Sequence, residues 1–310
     1  MDSYSLLPKL AQLGPRVGNN ETKTVQLIRD ELAIHKISFV EQPFTIDVPI
    51  CTNAELIIDG ERIPCLGSSI VSGDIPSGDY LISHFGYTGE DTAYNIAYSP
   101  MTDSISVVDH FKVPSVTISR ESIIKVIMAK TVKGSVTVEK HLTKTANILV
   151  GNIKNPTNLV FAHFDSIIGP GAVDNAGSVA VMFDIIINNP SLREKTLFIF
   201  SGNEEMCYDD YKLSGYGFRV FETDYSNLLM EAKKIIVLDG VGMGMANWSQ
   251  SGLDWVLQLK MLDQIRSKVT WLQNDQTPIL KVFHTSDDML ENIETQYLQS
   301  AEQLLVEALT

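Results

Sequence analysis

In the C-terminal half of the chain, short apolar runs alternate with longer segments of helical periodicity. Runs such as TLFIFS are continuous rather than alternating, which is typical of strands buried on both faces of a parallel sheet. Strands that alternate with helices in this way predict a mostly parallel sheet covered by helices. We therefore predict an α/β fold with a mixed, mostly parallel central sheet and helices on both faces. The predicted elements are strands at 159–162, 196–201 and 235–238 and helices at 175–188 and 293–309.

The first 141 residues have a different pattern. Residues 19–35 are predicted to form a helix, because their apolar side chains fall on one face, and 37–50 has strand character. From 51 to 141, short apolar runs are separated by Gly, Pro, Ser and Asp, which indicates a small β-rich unit with one helix near 121–130. The runs in this unit are ELIID, SIVSG, YLISHFG, ISVVDH, VPSVTIS and SVTVEK. We predict one domain formed by 1–45 and 143–310 and a β-rich inserted domain at 46–142.

The net charge of the chain limits the classes of partner that its surface can bind. Acidic residues outnumber basic residues by 38 to 24, which gives a formal net charge of -14. Such a surface repels phosphate backbones and anionic lipids, so we expect neither nucleic acid nor membranes as partners. The sequence also contains no apolar run of about 18 residues that would span a bilayer.

The cysteines and the first residues bear on the compartment. Cys51, Cys65 and Cys207 are few, odd in number and form no CxxC pair, which fits unpaired thiols in a reducing compartment. The first residues lack the basic segment and uninterrupted apolar stretch of a secretory signal. We expect a cytoplasmic protein; the alternative is an exported mature form with a Cys51–Cys65 disulfide.

Polar side chains follow each of the three predicted strands. His163 and Asp165 come after the first strand, Glu204 and Glu205 after the second, and Asp239 after the third. The binding crevice of such sheets lies beyond the carboxyl ends of the strands, so we expect these groups to converge. Converging carboxylates repel one another unless a cation neutralises them. Mixed imidazole and carboxylate ligands suit zinc, with Co²⁺ or Mn²⁺ as substitutes.

The spacing supports two metal ions. Two ions about 3.5–4 Å apart need a bridging carboxylate, and Asp174, after a Gly-Pro-Gly turn, suits that role. His163 and Asp239 form one pair of terminal ligands. Glu205 and His284 form the other. We therefore predict two Zn²⁺ ions per chain.

The remaining acidic groups receive supporting roles. Glu204 is the predicted general base, which takes a proton from the attacking water and passes it to the leaving amine. Asp165 is predicted to orient the His163 imidazole, and Asp287 or Asp288 to support His284. The competing structural interpretations are that Asp174 caps the following helix and that Glu204 and Glu205 are a solvated pair.

The segments that carry these groups resemble peptidase family M28, the di-zinc aminopeptidases. The resemblance implies a phosphorylase/hydrolase-like fold, the ligand roles given above, and peptides with a free N-terminus as substrates. Residues 112–129 further resemble a protease-associated domain, which implies a short lid of that type at 46–142. The matching stretches are LGPRVG near the N-terminus, TANILVGN at 145–152, AHFDSIIGPGAVDNAGSVAVMFDI at 162–185, FIFSGNEE at 198–205, IIVLDGVG at 235–242 and FHTSDDMLENI at 283–293.

Two other functions are compatible with the same fold. One is a glutaminyl-cyclase-like acyltransferase that uses a single zinc ion, and the other is a non-catalytic binding protein. The presence of both the His163-to-Asp165 segment and Asp239 favours two metals and hydrolysis. The segment between Asp239 and His284 is shorter than is typical of the family, so the insert or a partner subunit is a candidate to complete the substrate pocket.

Overall fold

The computed structural model describes residues 3–84, 93–107 and 110–310. Its contacts divide the chain into two compact units. The larger unit comprises Met1–Ile46, Leu142–Ile279 and Asp288–Thr310, and the smaller unit comprises Asp47–His141 and Leu280–Asp287. The predicted inserted domain at 46–142 has nearly the same limits as the smaller unit, except that it leaves out the segment 280–287.

The helices and strands of the described residues are as follows. The helices are α1 Leu6–Ala11, α2 Asn19–Ile34, α3 Ile123–Met128, α4 Gly177–Asn188, α5 Tyr216–Glu231, α6 Leu253–Val256, α7 Leu262–Ile265, α8 Gln276–Ile279 and α9 Thr295–Leu309. The strands are β1 Val40–Ile58, β2 Glu61–Ile63, β3 Cys65–Gly67, β4 Gly73–Ile75, β5 Leu81–His84, β6 Asn95–Tyr98, β7 Ser115–Ile118, β8 Val132–Gly151, β9 Asn158–His163, β10 Thr196–Ser201, β11 Lys234–Leu238, β12 Ala246–Ser249 and β13 Val269–Asn274.

The larger unit is built on a mixed sheet in the order β12-β13-β11-β9-β10-β8-β1. The four strands β13, β11, β9 and β10 are parallel, while β12 and β8 pair antiparallel with their neighbours. The predicted α/β fold with a mixed, mostly parallel sheet is confirmed.

Two apolar clusters cover the two faces of this sheet. Because side chains alternate along a strand, Val160 and Ala162 of β9 belong to one cluster and Leu159 and Phe161 to the other. The first cluster includes residues of α1, α2, α4 and α9, and the second includes residues of α5, α6 and α7. Burial on both faces explains why the central strands are continuously apolar.

Most predicted elements are present with small changes in their limits. The helix predicted at 175–188 begins at Gly177, because residues Ala172–Ala176 form a distorted turn. The strand predicted at 37–50 begins at Val40 and continues to Ile58. The helix predicted near 121–130 has six α-helical residues, Ile123–Met128.

Helix α5 is absent from the sequence prediction. Its residues include two aromatic side chains, Phe218 and Phe221, that pack edge-on against the Phe161 ring of β9. The helix is also interrupted at Tyr225, which has non-helical backbone angles. Its apolar residues nevertheless recur at helical spacing (Phe218, Phe221, Tyr225, Leu228 and Leu229), so the sequence does carry a pattern that predicts this helix.

The smaller unit contains a four-stranded sheet in the order β3-β7-β6-β5. Within this unit β2 pairs with the end of β1, and β4 pairs with the beginning of β8. Its apolar core includes Ile58, Ile96, Val116 and Val126. In the predicted runs YLISHFG and ISVVDH, residues 85–86 and 108–109 lie outside the described residues.

Two further expectations concern thiols and membranes. Cys51, Cys65 and Cys207 are all free thiols, so the alternative Cys51–Cys65 disulfide is absent from the structure. Among the described residues, none of the helices combines the length and the apolar character needed to traverse a bilayer.

We predict that Phe161→Ala lowers the free energy of unfolding by about 3–5 kcal/mol, because it removes a fully buried ring and leaves a cavity between β9 and α5. Chemical denaturation monitored by circular dichroism measures the change. Met230→Ala is the control, since Met230 lies on α5, the helix that packs against Phe161, but is 50% exposed. Its effect on the free energy of unfolding should stay within about 0.5 kcal/mol. Equal losses in the two variants would contradict the prediction.

Candidate metal centre

The register of three neighbouring strands places the chain segments of His163, Glu204, Glu205 and Asp239 side by side. Ser201 of β10 lies opposite His163 of β9, and Val237 of β11 lies opposite Phe161. The turn after β10 therefore begins beside His163, and Asp239 follows β11 at the same level. The His163 Nε2 and Asp239 Oδ2 atoms are 3.8 Å apart.

His163, Asp174 and Glu205 form a compact set of donor atoms. One nitrogen or oxygen of each residue lies within 4.8 Å of the others, and all three residues are buried. The His163 Nε2 and Asp174 Oδ1 atoms are 3.2 Å apart. Imidazole nitrogen with carboxylate oxygen is the donor chemistry that zinc takes in catalytic sites, so these residues fit a zinc ion.

Asp165 connects the end of β9 with the turn after β10. One of its carboxylate oxygens, Oδ1, lies 3.3 Å from His163 Nδ1 and accepts the Glu204 N–H at 3.0 Å. The other, Oδ2, accepts the Glu205 N–H at 2.9 Å. The sequence predicts the contact with the imidazole but not the two bonds to the backbone. The same carboxylate therefore orients the histidine and fixes the Glu204–Glu205 turn.

The cluster has a strongly negative potential. Burial and the charges of Glu205, Asp165 and Asp239 raise the pKa of Glu204 well above its usual value, against the effect of His163. Burial lowers the pKa of His163, but the surrounding carboxylates outweigh burial and raise this pKa well above its usual value. Both shifts favour the protonated form, as expected where acidic groups are concentrated without enough positive charge. A bound cation neutralises this excess and reverses the shifts.

Asp174 lies in the turn Ala172–Ala176, which precedes α4. The Asp288 carboxylate fixes this turn, because it accepts the backbone N–H groups of Val173 at 2.7 Å and Asp174 at 3.0 Å. Burial raises the pKa of Asp288 to about 6. Ala176 occupies the N-cap position of α4, so the competing interpretation of Asp174 as the helix cap is not supported.

Arg16 is a site residue whose role is not predicted from the sequence. Its guanidinium is fully buried and donates to the carbonyls of Phe164 at 2.5 Å, Gly171 at 3.0 Å and Pro170. It thereby holds the loop that leads from β9 to Asp174. Burial lowers its pKa, and nearby carboxylates, including Asp165 and Asp288, oppose the decrease. The stretch LGPRVG was the signal, but the partners of Arg16 are about 150 residues away in the chain.

Glu21 is a second residue without a predicted role at the site. It belongs to α2, where its first-turn position is favourable on a helix surface, but the structure buries it completely. Burial raises its pKa well above the usual value, and the charge of Asp165 adds to the effect.

His284 belongs to the segment 280–287, which the contacts assign to the smaller unit. Within that unit its Nδ1 atom donates to the Val107 carbonyl at 2.8 Å, and its own carbonyl accepts the Val107 N–H at 3.1 Å. Donation from Nδ1 leaves Nε2 as the nitrogen with a lone pair, which is the arrangement of a metal-binding histidine. Its role as a ligand stays a prediction from the sequence.

Comparison with known proteins tests the resemblance to family M28. Residues 146–247, which contain four of the five predicted ligands, match the model of Peptidase family M28. The resemblance to family M28 is confirmed. The M28 match supports a metal-dependent peptidase, and thus a hydrolase, as the class of protein. No curated protein sequence matches the chain.

Solved structures give the same fold at low sequence identity. A zinc aminopeptidase from Bacillus subtilis matches with a TM-score of 0.67 and 18% identity, covering 98% of this chain and 93% of that protein. A peptidase M28 precursor from Shewanella amazonensis matches with a TM-score of 0.70 and 14% identity, covering 99% and 91%. Porphyromonas gingivalis glutaminyl cyclase matches with a TM-score of 0.55 and 11% identity, covering 99% and 95%.

We predict that Asp165→Asn lowers the affinity for zinc by about 10- to 100-fold, the usual effect of losing a carboxylate that orients a metal-binding histidine. Isothermal titration of the metal-free protein with zinc measures the change. Asp184→Asn is a matched control, because Asp184 is also buried and accepts a backbone N–H, from Tyr4 at 3.0 Å, on a different part of the unit. The prediction is wrong if Asp165→Asn binds zinc as tightly as Asp184→Asn does.

Proposed function

We propose that this chain is a zinc-dependent aminopeptidase with a dinuclear metal site, which hydrolyses N-terminal residues from peptides. The observation that carries the proposal is the convergence of His163, Asp174 and Glu205 at the carboxyl edge of the sheet, with Glu204 and Asp239 beside them. The M28 match over the same segments supports it.

The balance of charge supports two divalent ions. Asp165, Asp174, Glu204, Glu205, Asp288 and Glu21 are buried in this region, and Arg16 contributes one positive charge to it. One divalent ion and one guanidinium leave most of the charge of six carboxylates unbalanced if all are ionised, whereas two divalent ions and the guanidinium balance it more closely. Burying unbalanced carboxylates is costly, so the charge count favours two ions.

The proposed ligands divide as the sequence suggests. Asp174 would be shared by the two ions, His163 and Asp239 would hold one of them, and Glu205, with His284 as the sequence predicts, would hold the other. When bound, zinc polarises the scissile carbonyl and lowers the pKa of water to near neutrality. Co²⁺ and Mn²⁺ are expected to substitute, because they accept the same donors.

The chain's own residues then move the proton and place the substrate. Glu204 accepts a proton from the attacking water on its carboxylate and delivers it to the nitrogen of the leaving amine. Asp165 keeps Glu204 and His163 in place through the bonds described above. The acidic surroundings attract the protonated α-amine of a peptide, which accounts for a preference for free N-termini.

A glutaminyl-cyclase-like acyltransferase with one zinc ion is the second candidate, since such an enzyme has the same fold. The position of Asp239, 3.8 Å from His163 Nε2, favours the aminopeptidase, because it adds a ligand that a second ion needs. The two candidates differ in metal content and in the products formed from peptides with an N-terminal glutamine.

We predict that Glu204→Gln lowers kcat by at least about 100-fold and leaves zinc content unchanged, because it removes the base but none of the ligands. A panel of aminoacyl fluorogenic substrates, assayed with and without a chelator, measures activity. Glu222→Gln is the control, because Glu222 is a buried glutamate of the same unit that accepts the Lys260 and Met261 N–H groups. Near-normal turnover by Glu204→Gln would exclude Glu204 as the base.

We further predict two zinc ions per chain in the wild-type protein and one in the folded His163→Ala variant, which lacks a terminal ligand of one site. Elemental analysis after dialysis against a trace of free zinc measures the stoichiometry, and circular dichroism checks the fold. His35→Ala, whose ring packs against Phe183 away from the cluster, should keep both ions. A single ion in the wild type would favour the acyltransferase instead.

A further inference from the structure

The carboxylate of Glu204 has a partner outside the acidic cluster. Gln258, shortly after α6, donates from Nε2 to Glu204 Oε1 at 2.6 Å. Gln258 is 5% exposed and Glu204 is 7% exposed, so water competes little for this bond. A buried hydrogen bond to an ionised oxygen is among the stronger ones in proteins.

The hydrogen bonds assign the orientation of the Gln258 amide. Its nitrogen lies between two acceptors, the Glu204 carboxylate and the Trp255 carbonyl, and donates one hydrogen to each. The opposite orientation would place the amide oxygen against two acceptor oxygens when Glu204 is ionised, as a general base is before it accepts a proton. Since Oε1 of Glu204 is bound to this amide, Oε2 is the oxygen that lies toward the metal ligands, 3.9 Å from His163 Nε2.

The absence of a side chain at Gly215 makes room for the Gln258 side chain. A Cβ atom at position 215 would lie 2.4 Å from Gln258 Oε1, and the positive φ of +75° also favours glycine. The N–H of Gly215 donates to the Glu204 carbonyl at 2.5 Å. The same glycine thus fixes the backbone of the base and admits the side chain that binds its carboxylate.

Arg219 holds the backbone of Gln258 from the other side. It donates from Nη1 to the carbonyls of Gln258 at 3.2 Å and Ser214 at 2.7 Å. Asp209 pairs with the Arg219 guanidinium at 2.6 Å, and the arginine is buried. A dedicated network therefore positions an uncharged side chain against the catalytic carboxylate.

We propose that Gln258 is a positioning residue for the general base: it holds Glu204 Oε1 so that Oε2 faces the reacting water. The inference rests on the proposed function of Glu204. A displacement of about 1 Å in a reacting group can cost about 100-fold in rate, so a fixed carboxylate matters more for the chemical step than for substrate binding.

The test replaces Gln258 by methionine, which has nearly the same shape but no amide. We expect kcat of Gln258→Met to fall by about 10- to 100-fold while KM and zinc content stay within about twofold of the wild type. Gln42→Met is the control. Gln42 is 6% exposed and also donates from Nε2 to a carboxylate at 2.6 Å, that of Asp224, and to a carbonyl, that of Val220. Its Oε1 additionally accepts from Asn147 Nδ2 at 2.9 Å, so Gln42→Met should lose at least as much stability as Gln258→Met but keep kcat within about twofold of the wild type.

A second arm separates action through Glu204 from a general structural effect. In a Glu204→Asp background the shorter carboxylate no longer reaches the amide, so Gln258→Met should lower kcat by less than about twofold further. If the effects of the two substitutions multiply fully, Gln258 does not act through Glu204 and the inference is overturned. Equal losses of kcat in Gln258→Met and Gln42→Met overturn it as well.

A third arm does not depend on activity. In a crystal structure of metal-free Gln258→Met, we expect the Glu204 carboxylate to rotate away from its wild-type position, and an unchanged carboxylate would overturn the inference. Absence of turnover by the zinc-loaded wild type on the aminoacyl panel would instead contradict the proposed function. The two failures are therefore distinguishable.

Discussion

The site depends on the parallel register of β11, β9 and β10. Alignment of Ser201 with His163 and of Val237 with Phe161 makes three chain segments end at one level. The two apolar clusters hold this register, because a slip by one residue would exchange the side chains packed on the two faces. Hydrophobic packing therefore provides the energy that brings mutually repelling carboxylates together, and a cation offsets the repulsion that remains.

The sequence was most informative where local pattern and chemistry coincide. Continuous apolar strands predicted the central sheet. The polar groups directly after these strands predicted the convergence, because the carboxyl ends of parallel strands lie at the same edge of a sheet, whichever other contacts the strands make. The limits of β10 agree with the prediction, and those of β9 and β11 differ by one residue. By contrast, the packing of α5 against Phe161 is a tertiary contact, which the helical spacing of its apolar residues does not specify.

The supporting residues could not be predicted in the same way. Glu21 and Gln258 have ordinary local surroundings in the sequence, whereas Arg16 lies in the stretch LGPRVG. The roles of all three come from partners far along the chain. Asp287 or Asp288 was expected to support His284, whereas the Asp288 carboxylate binds the turn that carries Asp174. The ligand types follow from elementary donor chemistry, but the groups that orient them depend on tertiary contacts.

The N-terminal segment limits how this protein can be divided into fragments that fold independently. The M28 match begins at residue 146, yet Arg16 holds the loop before Asp174, and Leu6, Leu10 and Ile28 are fully buried in the same cluster as Ile148. A fragment that starts at the match would lose this part of the core and leave three loop carbonyls without their donor. The boundary of sequence similarity is thus not a boundary of independent folding, and the smallest autonomous peptidase unit includes the first helices.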